Sequence, residues 1–149
     1  MRDAIGEALK EAMRARDPAR TGTLRMISAA IKNSDIEARG IGKGAASDEQ
    51  LLAALAKMIR QREESAKMYA DGGRPELADK ERAEIEVIRG FMPRQMSEDE
   101  VREAAQAAIA ETGAASPRDM GRVMAVLKEK HAGQMDFSKA SGTVKALLG

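Results

Sequence analysis

Apolar residues recur along this chain at three- and four-residue intervals, the spacing that puts them on one side of an α-helix. Ile5, Ala8, Leu9, Ala12 and Met13 predict a first helix over about residues 2–16. Asp17-Pro18 supplies an N-cap and a first helical position for a second, running to about Arg39 with Leu24, Ile27, Ile31 and Ile36 inward. On that helix Arg25, Lys32 and Arg39 recur at heptad spacing and so share another, charged face. Gly40, Gly42 and Gly44 interrupt the pattern. Ser47 with Gln50 reads as a capping box opening a third helix to about Ala70, which buries Leu52, Leu55, Ile59, Ala66 and Tyr69. Asp71-Gly72-Gly73 stops it, and Pro75 starts a fourth helix to about Gly90 with Leu77, Ala78, Ile85 and Ile88 inward.

Phe91-Met92-Pro93-Arg94-Gln95-Met96 reads as a joint, because a proline disfavours helix in the residue before it. A second capping box, Ser97 with Glu100, opens a helix carrying Val101, Ala105, Ala108 and Ile109 and closed by Gly113. Ser116-Pro117-Arg118-Asp119 is expected to cap the next, with Met120, Val123, Met124 and Leu127 inward and Gly133 ending it. A last helix from about Ser138 presents Ala140, Val144, Leu147 and Leu148. No segment alternates as a strand would. The expected fold is all-α in two parts: four helices over 1–92, a joint at 93–96, and three shorter helices over 97–149.

Composition agrees with helices. Tyr69, Phe91 and Phe137 are the only aromatics, so alanine, leucine, isoleucine and ten methionines must fill the interior, a set that packs well on helices. The absence of cysteine excludes a disulfide framework, a thiol nucleophile and a thiolate metal site. With no apolar stretch at the start resembling a signal peptide, and none approaching the ~20 residues of a membrane span, the expectation is a soluble cytoplasmic protein.

Candidate chemistry is sparse. His131 is the one histidine, placed at a helix C-terminus where a protonated imidazole is favourable, and it has no histidine partner. The carboxylate runs Glu81, Glu84, Glu86 and Glu98, Asp99, Glu100 read as solvated faces or caps, since successive helical residues do not face each other. Gly40-Ile41-Gly42-Lys43-Gly44 lacks the strand, spacing and following hydroxyl residue of a P-loop, although its lysine and amides suit contact with a phosphate. No catalytic residue, cofactor site or metal site is expected.

Charge placement says more. The whole chain carries a net charge of +1, yet residues 2–43 hold nine basic against six acidic side chains, and residues 116–149 six against three. Between them, residues 93–115 hold two basic and five acidic. Arg118, Arg122, Lys128, Lys130, Lys139 and Lys145, with His131, are therefore the candidates for contacting a nucleic-acid backbone. With so few aromatics, single-stranded stacking is disfavoured against folded or duplex RNA.

Leu24-Arg25-Met26-Ile27-Ser28-Ala29-Ala30-Ile31-Lys32-Asn33 resembles the opening signature of the YqeY family. So do Arg60-Gln61-Arg62-Glu63-Glu64-Ser65, Ala78-Asp79-Lys80-Glu81, Glu84-Ile85 and Met92-Pro93-Arg94-Gln95-Met96-Ser97. Asp119-Met120-Gly121-Arg122-Val123-Met124 resembles the motif shared with the C-terminal tail of GatB, the tRNA-handling subunit of the glutamine-dependent tRNA amidotransferase. The resemblance implies a two-part all-α fold and association with carbon–nitrogen ligase chemistry using glutamine as amido donor, in which related modules act as appended tRNA-binding parts. Gln134-Met135-Asp136-Phe137 departs from the basic, glycine-containing turn usual after Gly133 in the family. The implied partner is tRNA or a tRNA-handling enzyme. The other reading left open is a helical protein–protein adaptor.

Overall fold

A computed structural model describes all 149 residues, and it contains seven α-helices and no strand. The chain divides into two compact units, Met1–Met92 and Pro93–Gly149.

The first unit comprises α1 (Arg2–Arg14), α2 (Pro18–Gly40), α3 (Asp48–Asp71) and α4 (Pro75–Arg89). Asp17 caps α2 by accepting the Arg20 amide, with Pro18 in the first turn where its missing N–H is harmless. Ser47 and Gln50 form the reciprocal capping box of α3. α1 folds back on α2, and the hairpin is clamped at its far end. Arg2 donates two hydrogen bonds to Asp35, at 2.7 and 2.8 Å, while Asp35 also accepts the Ala46 amide. The same arginine reaches the Ala46 carbonyl, so one ion pair holds α1, α2 and the loop before α3.

The core of this unit joins Ile5, Ala12, Leu24, Ile27, Ile31, Leu51, Leu55, Met58, Ile59, Ile85 and Ile88. Several expected core positions lie outside it: Tyr69 and Leu77 are only half-buried, and two residues are largely exposed. Met13 is 52% exposed and Ile36 53% exposed. Ile36 is nine residues from Ile27, which at 100° per residue puts it about 180° around the helix. On α3, Leu51 and Met58 are buried as well as the expected Leu52, Leu55, Ile59 and Ala66.

The second unit packs α5 (Glu98–Thr112), α6 (Met120–Lys130) and α7 (Phe137–Leu148) against one another. Its separate core is small: Ala105, Ala108, Val123, Leu127, Met135, Ala140 and Val144. The Ser97–Glu100 capping box opens α5, and Gly113 closes it in the left-handed region at φ 67° that glycine tolerates best. Ser116 does not cap α6 as expected. Pro117–Asp119 instead form a single 3-10 turn, and the Asp119 carboxylate accepts the Ala115 amide. Residues of the joint tie into this unit: the Met96 amide donates to Gln134 O and the Gln95 side chain to Gly133 O.

Three carboxylates are held below their ordinary range. For Asp35 the Arg2 guanidinium is the main cause, followed by the Ala46 amide. Arg94 and then the Ser97 amide lower Glu100 to about 2, and the Ala115 amide and then Arg122 lower Asp119. A carboxylate more acidic in the folded chain contributes stability above its unfolded pKa of about 4, and that contribution is lost as pH falls towards the folded value. Thermal midpoints measured from pH 7 to pH 2.5 should therefore hold steady to about pH 5 and drop below it. Asp35→Asn and Glu100→Gln should each lower the neutral-pH midpoint and flatten the acid drop. Midpoints that rise on acidification would contradict this account.

Candidate nucleic-acid interface

α6 forms because Met120, Val123, Met124 and Leu127 make a stripe at i, i+3, i+4 and i+7, and burying Val123 and Leu127 fixes which side faces water. Arg118, Arg122, Lys128, Lys130, Lys139 and Lys145 are all exposed, and His131 is half-buried. Their roles then diverge. Arg122 pairs with Asp119 at 2.7 Å and donates to the Thr112 carbonyl, stapling the end of α5 to the start of α6. Lys130 pairs with Glu111 of α5 at 2.6 Å. The His131 Nδ1 lies 3.2 Å from the Gln134 amide oxygen. Arg118, Lys128, Lys139 and Lys145 form no ion pair.

The cations of α6 do not share one face. Lys128 and Lys130 are about 160° apart around the helix, and Arg122 is about 120° from Lys128. Lys130 sits on the flank that meets α5, as its pairing with Glu111 requires. The excess of three cations in residues 116–149 also packs against the deficit of three in residues 93–115, so this unit as a whole is formally neutral. The sequence segment is basic; the folded unit is zwitterionic, with Arg118, Lys128, Lys139 and Lys145, and Arg102 on α5, as its unpaired cations.

The other candidates take structural places. Glu84 pairs with Arg62, Glu86 with Arg89, and Glu100 with Arg94. The glycine cluster closes α2: Gly42 and Gly44 have positive φ, the Lys43 amide donates back to Ala38 O, and Arg39 donates to Gly44 O. No three His, Asp or Glu side chains are gathered as they would be to hold a metal ion. Sequence reading missed the Arg62–Glu84 pair linking α3 to α4, because nothing in the spacing of two residues on different helices says that they meet.

A family model described as Yqey-like protein matches residues 2–148. Similar curated relatives carry the name altered inheritance of mitochondria protein 41, mitochondrial. The protein of Candida glabrata is 36% identical over 84 residues, covering 56% of this chain and 45% of the relative. That of Lachancea thermotolerans is 36% identical over 85 residues, covering 56% and 43%. That of Pyrenophora tritici-repentis is 30% identical over 146 residues, covering 95% and 77%. The chain thus matches somewhat under half the length of the first two relatives. These relatives are mitochondrial by name, a different compartment from the cytoplasm expected from sequence, and no helix here is long and apolar enough to cross a membrane.

Proposed function

This chain belongs to the YqeY family, and from that premise we propose that it is a non-catalytic accessory module that binds structured RNA, namely tRNA, beside a tRNA-handling enzyme. The observation that carries this reading is the set of four exposed and unpaired cations, Arg118, Lys128, Lys139 and Lys145, on and around the last two helices. Arg122 and Lys130 hold the α5–α6 geometry that presents them. The module's link to glutamine-dependent amidotransfer is proposed as one of association, since its one histidine, His131, meets the Gln134 side chain and not a hydroxyl nucleophile. Its compartment is proposed to be that of the tRNA it serves, and fractionation against cytosolic and mitochondrial markers decides which.

A phosphate contact releases about 0.9 counterion from duplex nucleic acid, so four contacts contribute roughly −3 to −4 to the slope of log affinity against log salt. Fluorescence anisotropy with unfractionated tRNA should show that contribution disappearing when Arg118, Lys128, Lys139 and Lys145 are changed together to glutamine, with helicity unchanged. A slope untouched by the quadruple change would remove the support for RNA at this face.

The adaptor reading keeps one specific observation in its favour. A groove of about 760 Å3 opens between α2 and α3, with Ala30, Ala38, Ala53, Ala54 and Met58 interleaved with polar Asn33, Gln50 and Gln61 and the charged Glu37 and Lys57. With one cation and one anion on its walls, helix binding in this groove would depend on salt far less steeply than phosphate binding.

A further inference from the structure

The cationic stripe of α2 has no part in the reading above. Arg25, Lys32 and Arg39 are exposed, and none forms an ion pair. At 100° per residue they fall within about 40° of one another, spaced about 10.5 Å along some 21 Å of helix. The residues between them on that face are Ser28, Ala29 and the exposed Ile36, and Asp35 borders it about 40° from Arg39, whose charge helps to lower the Asp35 carboxyl. α2 has two carboxylates. Asp35 is occupied by Arg2 and the Ala46 amide. Glu37, about 140° round from Lys32, lines the α2–α3 groove. On α1, exposed Asp3, Glu7 and Glu11 are the opposing charges of the hairpin, and Glu7 is already paired with Lys10. Beyond Arg39, the exposed Lys43 follows in the loop whose Gly44 carbonyl Arg39 holds.

A fully solvated charged face would be expected to mix signs, because opposite charges at i,i+3 or i,i+4 stabilise an exposed helix by a few tenths of a kcal/mol per pair. α4 shows that pattern, with Arg82–Asp79 and Arg89–Glu86. On α2 three cations are instead aligned without an ion pair, with Ser28, Ala29 and Ile36 and no other cation or anion directly on the line between them. Duplex nucleic acid presents about one charge per 1.7 Å of axis, so about 21 Å of duplex carries roughly a dozen phosphates around its circumference, and the long Arg and Lys side chains can reach those on the facing strand.

We propose that the exposed face of α2, through Arg25, Lys32 and Arg39, is a second binding surface for the phosphate backbone of duplex RNA, carried by the first unit. It is independent of the C-terminal helices and rests on the proposed function only for the identity of the ligand as RNA.

The test compares four full-length proteins against unfractionated tRNA across a salt series: the parent, Arg25→Gln/Lys32→Gln/Arg39→Gln, the C-terminal quadruple variant, and the two sets combined. The α2 triple variant should lose about ten-fold or more in affinity at low salt and flatten the slope by about 2 to 3, in the presence or absence of the C-terminal cations. The double change Arg25→Gln/Lys32→Gln, which keeps the Arg39 contact to the loop, should give about two thirds of that flattening with unchanged circular dichroism. Loss confined to the α2 set supports this surface and removes the C-terminal one. An α2 variant with parental affinity and slope overturns this surface while leaving the C-terminal reading standing if the quadruple variant is impaired. A parent that binds no tRNA, or that binds a poly-glutamate peptide as tightly through the same three residues, also overturns it, the second in favour of an acidic protein partner.

Discussion

Leu127→Ala should unfold the second unit and leave the first intact. Leu127 is 1% exposed at the meeting point of α5, α6 and α7, in a core of seven buried residues that includes only three larger than alanine besides Leu127 itself: Val123, Met135 and Val144. Truncating a fully buried leucine costs about 2–5 kcal/mol through lost transfer energy and the residual cavity. A unit of about 57 residues has a stability on the order of 3–8 kcal/mol, so the loss is comparable with the whole. The cores of the two units share no residue, and the first buries many more large aliphatic side chains. Limited proteolysis should therefore cleave within α5–α7 and spare residues 1–92. Circular dichroism should show only the helicity of α5–α7 missing. The reciprocal Leu24→Ala, at a 0% exposed position, should weaken the first unit alone. A single cooperative melt, shifted equally by either change, would show that the units are thermodynamically one.

The second large effect is expected at Arg62. Its Nε donates to Glu84 at 3.0 Å, one terminal nitrogen to the Met58 carbonyl and the other towards the Met26 sulfur, so it ties α2, α3 and α4 together. The Arg62 and Glu84 side chains are 13% and 15% exposed. Arg62→Met removes the cation and leaves Glu84 partly desolvated with no partner. Breaking a fully buried pair costs about 3–5 kcal/mol, and the remaining water contact here reduces the expectation to about 1–3 kcal/mol. Arg62→Met with Glu84→Leu should recover most of the loss, because the penalty comes from the orphaned charge rather than from missing attraction. Denaturant melts of the two single variants and the double variant give the coupling energy directly. Additive losses in the double variant would refute a coupled pair.

Much of the fold was legible along the chain because its signals are local. Asp17-Pro18, Ser47 with Gln50, and Ser97 with Glu100 satisfy helix-end amides within three residues, and all three are present as read. Ile36 and Met13 were misplaced for a related reason. Apolar spacing names a stripe, but its edges become core only where a neighbouring helix covers them. Ser116 was misread because a proline after a serine suits both an α-helix cap and a 3-10 turn, and the Asp119 contact to Ala115 selects the turn.

The candidate site was legible only as an inventory of charges. Local chemistry determined that the chain is helical, where its helices start, and that residues 116–149 carry excess cations. Which cations remain free was a tertiary decision. Glu111 lies 19 residues before Lys130 and claims it only because α5 packs on α6; Arg2 and Asp35, 33 residues apart, meet because α1 folds back on α2. Helix propensity and capping act within a turn or two of backbone, whereas ion pairing acts through space between side chains that packing brings together. The sequence by itself therefore determined the helices and their charges, and the tertiary structure decided which of those charges are already spoken for.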